Sequence, residues 1–124
     1  MKLIRFFVGQ IILFLDFLTR PKPLSRSQKQ QDEVNKMTST LSLYQFKACP
    51  FCVKVRRHMR KNSLYIELRD AKNNLSIKEE LVNEGGKHKV PCLRIENKGN
   101  NVRWLYSSDD ICSYLDSELV SLNL

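Results

Sequence analysis

Residues 41–61, LSLYQFKACPFCVKVRRHMRK, contain the pattern that decides the fold. An apolar run ends just before two thiols, Cys49 and Cys52, and a basic stretch with helical spacing follows them. Pro50 suits the first position of a helix, where its missing N–H costs nothing and its fixed φ is already helical. Cys49 would then lie at the helix cap, where free N–H groups and the helix dipole favour a thiolate. A strand that leads into a helix at a C-x-x-C pair is typical of a dithiol–disulfide exchange site.

The composition limits the classes of protein to consider. A chain of 124 residues with 42% hydrophobic content fits a single folded domain. The net charge of +8 is densest in residues 1–40, which hold seven Lys and Arg against three acids. This concentration near the N-terminus favours a membrane surface as partner. A nucleic acid is not expected as partner, because the basic run at 54–61 has no Phe, Tyr or Trp among its charges. We expect that run to be a solvated helix face.

The four cysteines indicate a catalytic pair in a reducing compartment. Only Cys49 and Cys52 are closely spaced, and the chain has enough apolar residues for a core without disulfides. We expect Cys92 and Cys112 to be core residues.

The N-terminal segment, residues 1–20, is predicted to be an apolar, membrane-associating helix. Residues 3–18 contain twelve large apolar side chains, interrupted by Arg5, Gly9, Gln10 and Asp16. Such a helix is ~24 Å long, shorter than the ~30 Å hydrocarbon core, so it either lies in the interface or spans. The alternative is an additional helix packed onto the domain.

Residues 21–40 are predicted to be a basic, polar linker without a core of its own. Lys and Arg directly after an apolar segment tend to stay on the cytoplasmic side of a membrane. We therefore expect a cytoplasmic protein, attached to the inner face of the membrane.

Residues 41–124 are predicted to fold in the order β-α-β-α-β-β-α. Strands are expected at 41–47, 64–69, 92–95 and 102–105, and helices at 50–62, 76–84 and 108–119. In the second strand Leu64, Ile66 and Leu68 should point inward, and the turn at 97–101 should join the last two strands.

This order resembles the thioredoxin-like fold, and more narrowly the glutaredoxins similar to the N-terminal domain of glutathione transferases. Three motifs carry the resemblance: CPFC at 49–52, Val90-Pro91, and YSSDD at 106–110. The resemblance implies an α/β, three-layer fold with a four-stranded mixed sheet and about three helices, preceded by the N-terminal apolar helix. It covers residues 41–124, the glutaredoxin-like domain.

The resemblance also implies a function: a glutathione-dependent dithiol glutaredoxin that reduces protein disulfides and glutathione mixed disulfides. Cys49 would attack the disulfide and Cys52 would resolve the intermediate, so that the two form the redox-active disulfide. Glutathione would be the reducing co-substrate, disulfide-bearing or glutathionylated proteins would be the partners, and no metal is expected. The alternative is a non-catalytic glutathione- or metal-binding module tethered to a membrane complex.

Carried over from the family, the residues expected to bind glutathione are Lys47, Val90, Pro91, Ser107, Ser108 and Asp109. Val90 would offer its main chain beside a cis proline, and the start of the last helix would bind the γ-glutamyl end. Two alternatives stay open: Ser108 only caps that helix, and Lys47 is simply solvated. The glycine pair that many glutaredoxins have before this helix is absent here.

Overall fold

A computed structural model describes residues 2–97 and 101–122. In chain order the elements are α1 Lys2–Leu18, α2 Gln28–Thr38, β1 Leu41–Gln45, α3 Pro50–Lys61, β2 Glu67–Asp70, α4 Leu75–Gly85, β3 Cys92–Glu96, β4 Val102–Tyr106 and α5 Ser108–Ser121. The elements from β1 onward follow the predicted order, with ends that differ by a few residues.

The four strands form one mixed sheet in the order β2-β1-β3-β4. The strand β1 runs parallel to β2 and antiparallel to β3, so Leu43 lies between Leu68 and Leu93. The strand β4 pairs with β3 in antiparallel fashion. This arrangement confirms the thioredoxin-like fold.

Helices cover both faces of the sheet and make three layers. On one face, α3 and α5 bury Val55 and Leu115 against the main core. On the other face, α4 buries Leu81 against Tyr44 and Cys92. The alternation of side chains along β1 explains why Leu43 and Tyr44 belong to opposite cores.

The segment expected to be a linker contains a helix instead. The Ser27 hydroxyl oxygen accepts a hydrogen bond from the Gln30 N–H, and the Gln30 side-chain oxygen accepts one from the Ser27 N–H, which makes a capping box at the start of α2. Val34 is fully buried in the main core, and Met37 packs against the same core. A single buried valine among polar residues is a weak sequence signal, so only the packed structure identifies this helix as part of the domain.

The strand β2 is shorter than predicted and begins at Glu67. Leu64 and Ile66 are buried as expected, but Leu68 is 48% exposed. Leu68 is the register partner of Leu43, so it lies on the predicted face of the sheet. It stays half exposed because β2 is an edge strand whose surface is only partly covered. The predicted turn at 97–101 includes residues outside those that the structure describes.

The helix α1 is present at the predicted place and lies against the domain. Its one buried residue is Gly9, whereas large apolar side chains such as Phe7 and Phe14 are exposed. Among the residues that the structure describes, no helix has both the length and the apolar character needed to cross a membrane.

Candidate active site

Cys49 lies in the loop that joins β1 to α3, at the N-cap of that helix. Its backbone is extended (φ −76°, ψ 127°), its carbonyl accepts the first helical hydrogen bond from Val53 N–H at 2.9 Å, and Pro50 occupies the first turn. The Cys49 side chain makes no capping hydrogen bond and is half-buried. The thiol therefore lies at the positive end of the helix dipole with access to solvent.

Cys52 lies inside the first turn of α3 and has no exposed surface. Burial raises the pKa of this thiol to about 12, and the neighbouring Cys49 adds to the rise; the Phe46 N–H, 3.5 Å from Sγ, acts in the opposite direction. Both cysteines are free thiols. Cys52 therefore stays protonated near neutral pH, and Cys49 is the more accessible of the two thiols.

Arg56 fixes the loop before Cys49, a role that the sequence did not indicate. Its guanidinium donates to the carbonyls of Phe46 (3.3 Å) and Lys47 (2.6 Å) and to the Gln45 side chain. Burial lowers the pKa of Arg56, and the thiols of Cys52 and Cys49 oppose this. The expectation that residues 54–61 form a solvated face is thus wrong for Arg56, since its partners are main-chain carbonyls of the loop that precedes the helix.

The Val90-Pro91 bond is cis, as the resemblance implies. Val90 and Phe46 pack against one cluster, which contains the buried thiol Cys92. Burial raises the pKa of Cys92 to about 11, while a hydrogen bond with Tyr106 lowers it. Cys92 is a core residue as predicted.

Ser107, Ser108 and Asp109 form the start of α5. Ser107 is the N-cap and has a positive φ of 116°, and its side chain makes no capping hydrogen bond. Ser108 is already the first helical residue and is buried. The alternative that Ser108 is a plain N-cap is therefore wrong.

The ion pair between Lys54 and Asp109 connects the start of α5 to the start of α3. The hydrogen bond that Lys54 donates to the Asp109 carboxylate raises the pKa of Lys54. The charge of Lys54 is thus directed to Asp109. Lys47, two residues before Cys49, is exposed.

The helix α1 approaches the active-site loop, which sequence reasoning did not foresee. A Cβ placed on Gly9 would lie 3.0 Å from the Ala48 Cβ, so the two backbones are in close contact. Further along, Asp16 pairs with Arg57 at 3.0 Å, and Arg57 also donates to the Thr19 carbonyl at 2.8 Å. Asp16, an acid in an otherwise apolar helix, was the sequence feature that indicated a contact. Its partner Arg57 is too distant in the sequence to be identified from the pattern.

Metal-binding capacity is limited in the described part of the chain. Residues 2–97 and 101–122 contain no group of three or more His, Cys, Asp or Glu side chains arranged to hold a metal ion.

Part of the chain is similar to known proteins. Residues 41–99 match the family model for glutaredoxin. The solved structure of oxidized glutaredoxin 2 from Chlamydomonas reinhardtii is similar over 75% of this chain and 88% of its own, with 18% identity and a TM-score of 0.49. No curated protein sequence matches the chain. Residues 41–99, which contain the thiol pair, thus form a domain of the glutaredoxin family, and the chain is a thiol–disulfide oxidoreductase.

Proposed function

We propose that the protein is a glutathione-dependent dithiol glutaredoxin that reduces protein disulfides and glutathione mixed disulfides. The observation that carries the proposal is the difference between the two thiols: Cys49 is accessible at the end of a helix, and Cys52 is fully buried behind it. Only an accessible thiolate can reach an external disulfide, and a buried neighbour is suited to an intramolecular second step.

With a protein disulfide, the Cys49 thiolate attacks one sulfur, forms a mixed disulfide and releases the other sulfur as a thiolate, which takes a proton from water. Cys52 loses its proton as it attacks the Cys49 sulfur, which closes the Cys49–Cys52 disulfide and releases the second substrate thiol. Two glutathione molecules then restore the dithiol and leave as glutathione disulfide. With a glutathionylated protein, Cys49 takes up the glutathionyl group and one further glutathione removes it.

Glutathione recognition is proposed to use both sides of the active-site loop. The main chain of Val90 would pair with the cysteinyl unit, and the N–H groups at the start of α5, in Ser107, Ser108 and Asp109, would bind the γ-glutamyl carboxylate. Lys47 would attract the glycine carboxylate, which its exposed position permits. Pro91 would hold the Val90 backbone beside the thiol.

The location is proposed to be the cytoplasmic face of a membrane. Exposed apolar side chains along α1, such as Phe7, Phe14 and Leu18, would enter the lipid interface. Basic residues that follow α1, such as Arg20 and Lys22, would meet anionic headgroups. Binding to lipid vesicles tests this proposal.

The chemistry is tested by replacing each cysteine in turn. We expect Cys52→Ser to keep activity on a glutathione mixed disulfide and to lose reduction of a protein disulfide, because only the second reaction needs the resolving thiol. Cys49→Ser should lose both activities, and Cys112→Ser, which removes a half-buried thiol outside the pair, should keep both.

The reductant is tested by exchange for a simpler thiol. N-acetylcysteine, at the same thiolate concentration, lacks the γ-glutamyl and glycine groups and should support a turnover at least about tenfold slower than glutathione. Equal rates with the two thiols would refute glutathione dependence. Loss of both activities in Cys52→Ser would refute the division of roles between the thiols.

A further inference from the structure

A groove of about 860 Å³ lies beside Cys49, between α1 and the active-site loop. The helix α1 contributes the side chains of Ile4 and Val8 to one wall. Phe46, Cys49 and Pro50 contribute to the other. The reactive sulfur therefore borders a largely apolar space large enough for several side chains.

The groove also has a single sign of charge. Lys2, Arg5, Lys47 and Lys72 belong to its lining, and none of the lining residues is an Asp or Glu. A ligand that fills it must therefore combine apolar groups with negative charge.

The position of α1, and so the width of the groove, is set by specific contacts. Gly9 lets the helix backbone approach Ala48, since a larger residue would meet its Cβ. Arg57 holds the end of α1 through Asp16 and the Thr19 carbonyl. The wall is thus held in place by contacts with the loop before Cys49 and with α3.

The groove is distinct from the surface proposed for most of the glutathione contacts. Val90, Pro91, Ser107, Ser108 and Asp109 lie outside its lining, and of the proposed contacts only Lys47 borders it. Glutathione has no large apolar group that would need such a space.

We infer that α1 is a specificity element: the groove binds the polypeptide half of a disulfide substrate, in a segment where large apolar side chains and a carboxylate flank the reactive cysteine. The inference rests on the proposed function, which supplies the chemistry. Cys49 attacks the substrate disulfide while the neighbouring apolar side chains lie between Ile4, Val8 and Phe46. The flanking carboxylate lies near Arg5 and Lys72.

The test compares two peptides, each carrying one cysteine as its mixed disulfide with glutathione. In one peptide Leu, Phe and Glu flank the cysteine; in the other, Ser, Gly and Lys flank it. With the full chain in lipid-free buffer, kcat/KM should be at least about tenfold higher for the first peptide. The mixed disulfide of glutathione with 2-mercaptoethanol, which has no side chains for the groove, reports the basal activity.

Matched variants on two faces of α1 locate the effect. Ile4→Ser/Val8→Ser removes two exposed groove side chains and should abolish the preference while leaving the basal activity unchanged. Leu3→Ser/Phe7→Ser removes two exposed side chains that do not line the groove and should keep the preference. Arg5→Gln/Lys72→Gln should lower the rate only for the Glu-containing peptide.

A further variant tests the same inference by displacing the helix α1 as a whole. Gly9→Leu should push α1 away from Ala48 and abolish the preference without loss of basal activity. Equal kcat/KM for the two peptides, or a preference that survives in both Ile4→Ser/Val8→Ser and Gly9→Leu, would overturn the inference. So would a preference that needs lipid vesicles, since the groove would then serve a lipid. Absence of activity on the small mixed disulfide would refute the proposed function instead.

Discussion

Ser107 is a residue whose backbone conformation does not suit its side chain. Its φ of 116° and ψ of 123° lie in a region that favours glycine, and such a conformation costs a non-glycine residue about 1–3 kcal/mol. The sequence has no glycine before α5, and Ser107 there adopts a backbone geometry that glycine prefers.

We expect Ser107→Gly to raise the free energy of unfolding by about 1 kcal/mol, because relief of strain exceeds the extra chain entropy of glycine. Urea unfolding of the reduced protein measures this. Gly86, with φ of 90° at the end of α4 and open space around it, is the matched control: Gly86→Ala should lower stability by about 1 kcal/mol. Destabilisation by Ser107→Gly would mean that the serine side chain contributes more than the strain costs.

At the scale of elements, α1 presents apolar side chains both to the groove and to the solvent outside it. Ile4 and Val8 line the groove beside Cys49, whereas Phe7 and Phe14 lie outside it and are exposed. A helix with so much exposed apolar surface is poorly accommodated in water and suits an interface. The membrane proposal therefore concerns the outer face alone.

We expect Phe7→Ser/Phe14→Ser to weaken binding to vesicles that contain anionic lipid by about a hundredfold, because two large apolar side chains no longer enter the interface. Ile4→Ser/Val8→Ser should weaken it much less. Co-sedimentation with vesicles measures both, and added salt should lower the affinity of all forms through screening. Equal loss in the two double variants would contradict an orientation with the outer face toward lipid.

At the scale of the whole molecule, buried thiols make stability depend on alkaline pH. Burial raises the pKa of Cys52 from 9.0 to about 12 and that of Cys92 from 9.0 to about 11. The folded state therefore keeps protons that the unfolded chain releases above pH 9. The contribution of these thiols is fully present below pH 9 and is lost as the pH rises from there toward 11 and 12.

Each thiol should contribute a slope of about 1.4 kcal/mol per pH unit to the loss of stability above pH 9. Urea unfolding at several pH values, in the presence of a phosphine reductant, measures the total. Cys52→Ala and Cys92→Ala should each remove one thiol's share of the slope. A slope that is unchanged in both variants would show that other groups cause the loss.

The sequence by itself determined the order of elements from Leu41 onward and the place of Cys49 at the start of a helix. These features depend on local signals, such as Pro50 in the first helical turn and Gly86 after α4, which act within a few residues of chain. The glutaredoxin resemblance followed from three short motifs, CPFC at 49–52, Val90-Pro91 and YSSDD at 106–110, and the match of residues 41–99 confirms it.

Only the tertiary structure decided how distant segments meet. Val34 makes an expected linker into a core helix, Arg56 holds the loop before the thiols, and the pairing of Asp16 with Arg57 places α1 beside Cys49. Each of these features depends on contacts between residues that are far apart in the sequence. The same residues would also be compatible with a solvated linker or a solvated helix face. No local pattern specifies such partners, because the free energy of burial and pairing arises only when the chain has packed.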